Sequence, residues 1–561
     1  MRRQTYEVPS KDREIFIDPP PGRILELIHS NKSKFGKGVL QYAPIICGIP
    51  FRKFRSMVRR EVLQKAIEYT KKITGNEQRA TSDETIIQTG YQPTFYHPGI
   101  WLKNHLAYHI AKRVNGTSIN ISIDNDVCHE NWIYVPTPTH PSPLEGEDKV
   151  GGREITLEKI EFVERGANLA FEALSFGDAN RVISFRDKVL ACLNRSVSGG
   201  SETFEKFANL MIDASIRLRR TNIGEILTIA RRKFEDSFGI YNLEVPVSKI
   251  CECDSFLIFF LAILSDCRRF ASIYNCTLGF YRKAHKLRSK AQPLPDLMVD
   301  KNMVEVPFWA WRRGEPRKRL FVSAAGGADN KHVDLIYENQ VVLAFDIEGK
   351  VGVETQLVRL KELVNSGIKI RPRAITNTMF SRLFFSDLFI HGIGGARYDV
   401  ITNSLIKDFF GVEPPDFLTA SATLYLPFQG FDIIPLRRTD LNAHRLLLRD
   451  MHYNPEKYLA AHLKTDKEIS TLIMEKQKII GSTWIQNHTE QLRNFKRIRE
   501  INSILECKLL PYSEQEKTEL KRMERLVLQN EIMRNRTYPF CIYPESLLKD
   551  FYGKHSLLPG W

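Results

Sequence analysis

The sequence predicts an α/β protein with a parallel-sheet core, helical insertions and a C-terminal helical arm. Three observations carry that prediction. A short apolar, β-branched run, Glu84-Thr-Ile-Ile-Gln88, passes through a turn-rich stretch into helical spacing from Trp101 to Val114. Far downstream the arrangement repeats: Asp387-Leu-Phe-Ile-His391 runs into Gly392-Ile-Gly-Gly395 and then into helical spacing from Ala396 to Phe410. Finally, from about Asn454 to Arg536 apolar side chains recur at three- and four-residue steps, the period of an amphipathic helix.

At 561 residues the chain exceeds one ordinary core. Residues 1–180 are expected to hold a lead-in and the first half of the core, 181–295 a helical insertion, 296–440 the second half, and 441–561 the arm and tail. With 43% hydrophobic and 26% charged residues the composition is that of a globular protein. A net charge of +15 suits acidic partners, among them phosphorylated or carboxylated small molecules. The densest basic block, Phe51-Arg-Lys-Phe-Arg55 with Arg59 and Arg60, carries no zinc-finger, basic-zipper or RNA-recognition signature, so nucleic acid is not the expected partner. Nine scattered cysteines without a CxxC pair or a Cys/His cluster read as reduced thiols in a cytoplasmic protein without a zinc site. Polar Gln4-Thr-Tyr-Glu7 follows the basic N-terminus where a signal peptide would be apolar. The longest apolar run, Phe256 to Leu264, is far short of the roughly 20 residues of a membrane span, and reads as a buried helix.

In chain order, a Pro-rich approach (Asp18-Pro-Pro-Pro21) precedes a helix expected over Met57–Ile73 and stopped by Gly75. The stretch Thr89 to Lys103 contains Gly90, Pro93, Pro98 and Gly99, which set tight turns. Free amides at the following helix start attract anions, and Thr89, Gln92, Tyr96, His97 and Lys103 supply polar handles around them. Asn115-Gly116 reads as the exit of that helix. A second strand, Thr117–Ile123, delivers Asp124-Asn125-Asp126 at its end. Carboxylates placed there suit an amine, a hydroxyl, Mg²⁺ or proton transfer, and suit capping of local backbone equally well. Pro136 to Pro143, followed by acidic and Gly-rich sequence to Gly152, reads as an exposed loop.

Thr203–Arg219 and Ile223–Phe238 read as helices, and runs at 304–310, 319–323, 333–337 and 341–347 as antiparallel strands by their spacing. Arg371 and Arg373 offer bidentate carboxylate recognition, or form a basic surface turn. Gly392, Gly394 and Gly395 permit positive φ and a row of amides able to cradle an anion, with His391, Arg397, Tyr398 and Asp399 in reach. His391 reads equally as a structural histidine at a strand end. The glycines match neither the P-loop nor the dinucleotide fingerprint, so the cofactor stays unnamed, with ATP or another nucleotide open. In the arm, the stripes Leu492/Phe495/Ile498/Ile501/Leu505 and Leu520/Met523/Val527/Met533 flank a turn at Pro511-Tyr512. Ser513 with Glu516 reads as a capping box, and the two segments as an antiparallel hairpin whose stripes bury on each other, on the body or on a second subunit.

Three of these segments together resemble the bacillithiol biosynthesis cysteine-adding enzyme family. Thr89-Gly-Tyr-Gln-Pro93 with downstream Lys103 is similar to its TGQQ-type loop, Asp124-Asn-Asp126 to its EDHD-type strand end, and Gly392 to Tyr398 to its GGPGE-type loop before a Tyr-bearing helix. Tyr91 stands for a Gln, Thr94 for a Gly, Asn125 for a His, and Ala396-Arg397 for the Pro and Glu. The resemblance covers most of residues 84–430. It implies a Rossmann-like core related to class I nucleotidyltransferases, a C-terminal antiparallel coiled coil that makes a homodimer, and a ligase reaction joining cysteine to the amino group of glucosaminyl-malate. Carried over, Thr89, Gly90, Gln92 and Lys103 line the first loop, Asp124 and Asp126 the strand end, and Gly392, Gly394, Gly395 and Tyr398 the last loop. Asp124, Asp126, His97 and His391 are the candidates for proton transfer, and Arg371 and Arg373 add carboxylate-binding capacity. The expected function is therefore carbon–nitrogen ligation on a small anionic substrate. The alternatives from other classes are a non-catalytic nucleotide- or metabolite-binding protein and a basic nucleic-acid-associated protein.

Overall fold

The computed structural model describes residues 6–36, 44–76, 79–139, 154–163, 168–194, 197–289, 291–324, 332–346, 353–482, 488–553 and 558. The chain forms two compact units: residues 1–135, 158–427 and 536–561 make one, and 136–157 with 428–535 the other.

The first unit is built on a sheet of six strands in the spatial order Glu14–Asp18, Phe417–Thr423, Leu388–His391, Ile86–Tyr91, Thr117–Ser122, Leu243–Pro246. Every neighbouring pair is parallel except the edge pair of Glu14–Asp18 with Phe417–Thr423. Starting from the Ile86–Tyr91 strand, the chain first adds Thr117–Ser122 and Leu243–Pro246 on one side. It later returns to add Leu388–His391 and Phe417–Thr423 on the other. The order reverses between the strands ending at Tyr91 and His391, which is where an open α/β sheet offers a crevice beyond its carboxyl ends.

Successive residues Ile86 and Ile87 are both fully buried, as expected of a parallel strand covered on both faces. One face meets the Phe51–Thr74 helix through Phe54, Val58 and Val62, and the same core continues into the apolar Asp254–Leu264 helix. The Phe51–Thr74 helix starts earlier than its hydrophobic period implies because Phe51, Phe54 and Arg55 are themselves interior, and it ends at Gly75 with φ of 79°. A second sheet of five antiparallel strands follows the order Gln340–Asp346, His332–Tyr337, Lys318–Ala324, Met303–Trp311, Lys369–Pro372.

The basic block near residue 55 is a structural device. Buried Arg55 and Arg59 both bond to the carboxylate of Asp387, at 2.9 and 3.1 Å, and to the carbonyls of Leu383, Ser386 and Phe385. The second Asp387 oxygen also accepts from the Ile86 amide at 2.9 Å, and the Asp387 amide donates to the Ile86 carbonyl at 2.9 Å. Helix 51–74 is thereby tied to the starts of both strands that flank the crevice.

The tail, grouped with the arm in the sequence reading, belongs to the sheet-bearing unit. Phe540 stacks on Trp101 at 4.2 Å, and the Tyr552 hydroxyl donates to Pro98 O at 2.6 Å. Residues 136–139, expected in an exposed loop, extend the Trp132–Thr139 strand; 140–153 lie outside the described residues. In the other unit, helix Leu510–Met533 packs chiefly on Arg438–Tyr453, and His488–Cys507 on Lys467–Ser482. Of the burials open to the two stripes, on each other, on the body or on a second subunit, the structure shows both packed on other helices of their unit: Ile501 and Leu505 join Leu459 and Ile469, while Met523 and Val527 join Leu441. Nor does Ser513 cap anything. The helix already begins at Leu510 with Pro511 in its first turn, and the Ser513 hydroxyl donates back to Leu510 O at 3.1 Å.

Replacing Asp387 by Ala leaves two buried guanidinium groups without their counter-charge, a loss of about 3–5 kcal/mol. Denaturant unfolding should show a destabilisation of that order, far above the cost of removing the exposed Lys407–Glu413 pair.

Candidate crevice at the carboxyl ends of the parallel strands

The first strand runs on to Tyr91, so Thr89 and Gly90 are strand residues. Thr89 is buried, with its hydroxyl donating to Ile390 O at 3.4 Å across the switch point. Gly90 has to be glycine, because a Cβ there would lie 2.7 Å from Ile121 O of the neighbouring strand. Beyond the turn, His97 caps the Pro98–Arg113 helix by accepting from the Gly99 amide through Nδ1 at 3.0 Å. Burial, with Arg536 and Lys103 nearby, pushes the His97 imidazole down to about 3. It is a neutral cap whose Nδ1 lone pair is already used.

Lys103 lies one turn into that helix and is only 3% exposed. Its ammonium donates to Gly90 O at 2.9 Å and stands 5.2 Å from the Tyr91 ring centre. Burial is the cause that pushes it down to about 7, with no carboxylate holding it up. Among the described residues, two of its three N–H donors have no hydrogen-bond partner.

The Asp124–Asp126 strand end fans out in three directions. Asp124 accepts from the Ser248 amide at 2.9 Å, Asn125 donates to Pro372 O at 2.9 Å, and Asp126 accepts from Gln92. Asp126 also pairs with Arg317 at 3.0 Å. Asp124 is buried beside Glu172; burial and that neighbour raise its carboxyl. Burial alone would raise Glu172 too, but Arg371 and Lys369 outweigh it and hold it low.

Arg371 is the bidentate carboxylate binder that the sequence offered, but its carboxylate is internal: Nε and Nη2 reach Glu172 at 2.9 and 3.0 Å. Arg373 is likewise engaged with Glu305 at 2.5 Å and stacks on Trp309 at 4.0 Å, with Arg317 over the same ring at 5.0 Å.

The second flank differs from the expected glycine loop. Gly392 is the N-cap of the Ile393–Phe410 helix, and Gly394 and Gly395 lie in its first turn, none of the three with positive φ. Cβ atoms at Gly392 and Gly394 would meet nothing within 4 Å, so these glycines border open space. His391, buried between the Phe389 and Phe417 rings at 4.3 and 4.8 Å, bonds through Nε2 to Asp399 at 2.8 Å. Tyr398, on the same helix, has its phenol raised by burial and then by Asp399, Tyr91 and Asp126.

The structure thus brings Tyr91, Gln92, Asp126, Lys103, His391 and Tyr398 to the same carboxyl end of the sheet. It assigns Arg371 and Arg373 to neighbouring ion pairs and places Asp124 beside the Glu172–Arg371 pair. Sequence reading missed Arg317, Glu172, Trp309 and Arg382. Only Arg317 left a trace, as part of the basic turn Arg312 to Arg319. Among the described residues, no three His, Cys, Asp or Glu side chains gather as metal ligands, and no helix is long and apolar enough to cross a membrane. No protein-family model matches the chain, and a search of curated proteins finds no match.

Because the Lys103 ammonium is depressed in the folded protein, the unfolded chain binds more protons between about pH 7 and the ordinary lysine value of about 10.4. The cost of burying the charge is fully present below pH 7 and is relieved as pH rises through that window. Lys103→Met should therefore raise the Tm at pH 6, with a gain that shrinks toward pH 10. A gain independent of pH in thermal denaturation would show that Lys103 is not the depressed group.

Proposed function

We propose that the chain is an enzyme of small-molecule metabolism that seats an anionic substrate between the strands ending at Tyr91 and His391 and forms a carbon–nitrogen bond there. In this reading the mostly parallel sheet is a Rossmann-like core of nucleotidyltransferase type. The observation that carries the proposal is Lys103: a buried ammonium with no carboxylate partner among the described residues costs stability, and a bound carboxylate or phosphate would supply the missing charge. The first-turn amides of the Ile393–Phe410 helix add a favourable dipole at the same end of the sheet. Amide-type bond formation needs a group to take the proton of the attacking amine, and His391 and Asp126 stand at this crevice. The particular reaction, cysteine with glucosaminyl-malate, rests on the resemblance of the Thr89, Asp124 and Gly392 segments.

Purified protein incubated with cysteine, glucosaminyl-malate and ATP should give a condensation product by mass spectrometry. Losing a charge-assisted hydrogen bond worth about 1.5–3 kcal/mol, Lys103→Met should bind the anionic substrate roughly 10–100-fold more weakly in calorimetry. Anion binding without product would favour the alternative of a metabolite-binding protein, and unchanged affinity in the variant would remove Lys103 from the site.

We further propose that the arm forms a homodimer, because Leu492 and Phe495 are 51% and 57% exposed on one helix, and Met474 and Ile480 are 62% and 49% exposed on the helix it packs against. Glu at both Leu492 and Phe495 should split a dimer seen by light scattering. Leu505 does not serve this purpose, being interior to its own unit. A monomeric wild type at micromolar concentration would contradict the dimer.

A further inference from the structure

His391 is held by more contacts than a strand-end histidine needs. Its ring lies between Phe389 and Phe417, and Nε2 meets Asp399 Oδ2 at 2.8 Å. Asp399 is in turn fixed by the Arg382 guanidinium at 2.5 Å, whose other nitrogen donates to Asn403 Oδ1 at 2.6 Å. Arg382, at 1% side-chain exposure, belongs to the π-helical turn Ser381–Phe385 just ahead of the strand that ends in His391. The chain Arg382–Asp399–His391 thus ends on one imidazole at the switch point.

The opposite edge of that ring is bare. Among the described residues Nδ1 has no hydrogen-bond partner, and the side chain retains 9% exposure. The reason is Gly395: a Cβ at that position would stand 2.9 Å from Nδ1. Gly395 has no unusual backbone angle to explain it, so what requires glycine here is the room beside the imidazole. Gly392 and Gly394, with nothing where a Cβ would be, leave the adjoining space open.

We infer that Arg382, Asp399 and Gly395 together present His391 as the proton acceptor of the crevice, with the ring proton fixed on Nε2 and the Nδ1 lone pair exposed to substrate. The inference rests on the reading of the switch point as an active site. Asp399 and Arg382 are positioning residues and never touch substrate. In the step they serve, a proton leaves the substrate's ammonium group for Nδ1, the N–H bonding pair stays on nitrogen as the lone pair of the free amine, and the resulting imidazolium is stabilised through Nε2 by ionised Asp399.

The charges around the ring agree with this role. Arg382 and His391 hold Asp399 well below the usual carboxylate range despite its burial. Burial lowers the imidazole, Arg382 and Lys103 add to that effect, and Asp399 opposes it, so the base rests unprotonated at neutral pH and has a counter-charge waiting when it accepts.

Nitrogen-15 NMR of the full chain labelled at histidine, with the His391 signals assigned from a His391→Gln sample, reads the tautomer directly. The expected spectrum has a protonated Nε2 and a bare Nδ1 at pH 7, with both tautomers populated in Asp399→Asn. A proton on Nδ1 in the wild type, or an unchanged tautomer in the variant, would overturn the inference. Gly395→Ala supplies the functional arm without disturbing Arg382 or Asp399. Alanine favours the helix, but its Cβ would crowd Nδ1 at 2.9 Å, so a purely structural role predicts a lowered Tm with product formation by the folded protein intact. The proposal predicts kcat lowered by roughly 10²–10⁴-fold, the usual contribution of a general base, with KM nearly unchanged. A loss confined to KM would overturn it. If the wild type turns over neither cysteine nor glucosaminyl-malate, the ligase reading falls by itself, and the tautomer measurement still decides the dyad.

Discussion

The fold depends on a carboxylate. Parallel strands cannot be joined by a tight turn, so the Ile86–Tyr91 and Leu388–His391 strands meet only after the intervening chain has been placed. Asp387 sets their register from one position, taking the Ile86 amide with the same carboxylate that binds Arg55 and Arg59. A buried ion pair of this kind adds little net stability, because desolvating three charged groups offsets most of what their attraction returns. What it does supply is a penalty for any other register, since a slip by one residue would leave two buried guanidinium groups unpaired. The consequence is felt at the far ends of the same strands, where Thr89 reaches Ile390 O and the two strand–turn–helix units come side by side.

With the register set, the crevice contains a deliberate imbalance of charge. Elsewhere in the sheet-bearing unit buried cations find carboxylates: Arg231 takes Glu235 and Glu244, Arg371 takes Glu172, and Arg382 takes Asp399. Lys103 takes a carbonyl only. Stability alone would replace such a lysine with methionine, and a local penalty of this sort is characteristic of a site prepared for a ligand. The neutral state of His97 follows from its burial, and then from Arg536 and Lys103, beside which it would be a third positive charge.

Much of the scaffold was legible because it obeys local rules. Asn115-Gly116 ends its helix as read, with Asn115 at φ of 49°, and Gly411 closes the last core helix at φ of 65°. The strand runs and the all-round apolar Asp254–Leu264 helix needed only periodicity. What was not legible depends on partners distant in sequence. Arg55 and Arg59 look like a surface block until Asp387 is placed between them, and Arg371 looks free until Glu172 arrives. The Gly392–Gly395 glycines read as a loop because three glycines disfavour a helix on propensity. At Gly395 the neighbouring imidazole leaves no room for a Cβ, whereas Gly392 and Gly394 face open space. The Ser513–Glu516 capping pattern failed because Pro511 started the helix a few residues earlier and Glu516 found His444 at 3.2 Å.

If Lys103 waits for an anion at the switch point, crystals soaked in selenate will reveal it, because the anomalous signal of selenium marks the anion. The expected anomalous peak lies within hydrogen-bond distance of Lys103 Nζ, between Gly90 and the Gly392–Gly395 turn, and disappears in the Lys103→Met protein. A Lys103 ammonium bonded only to protein carbonyls, with selenate elsewhere on the surface, would contradict it.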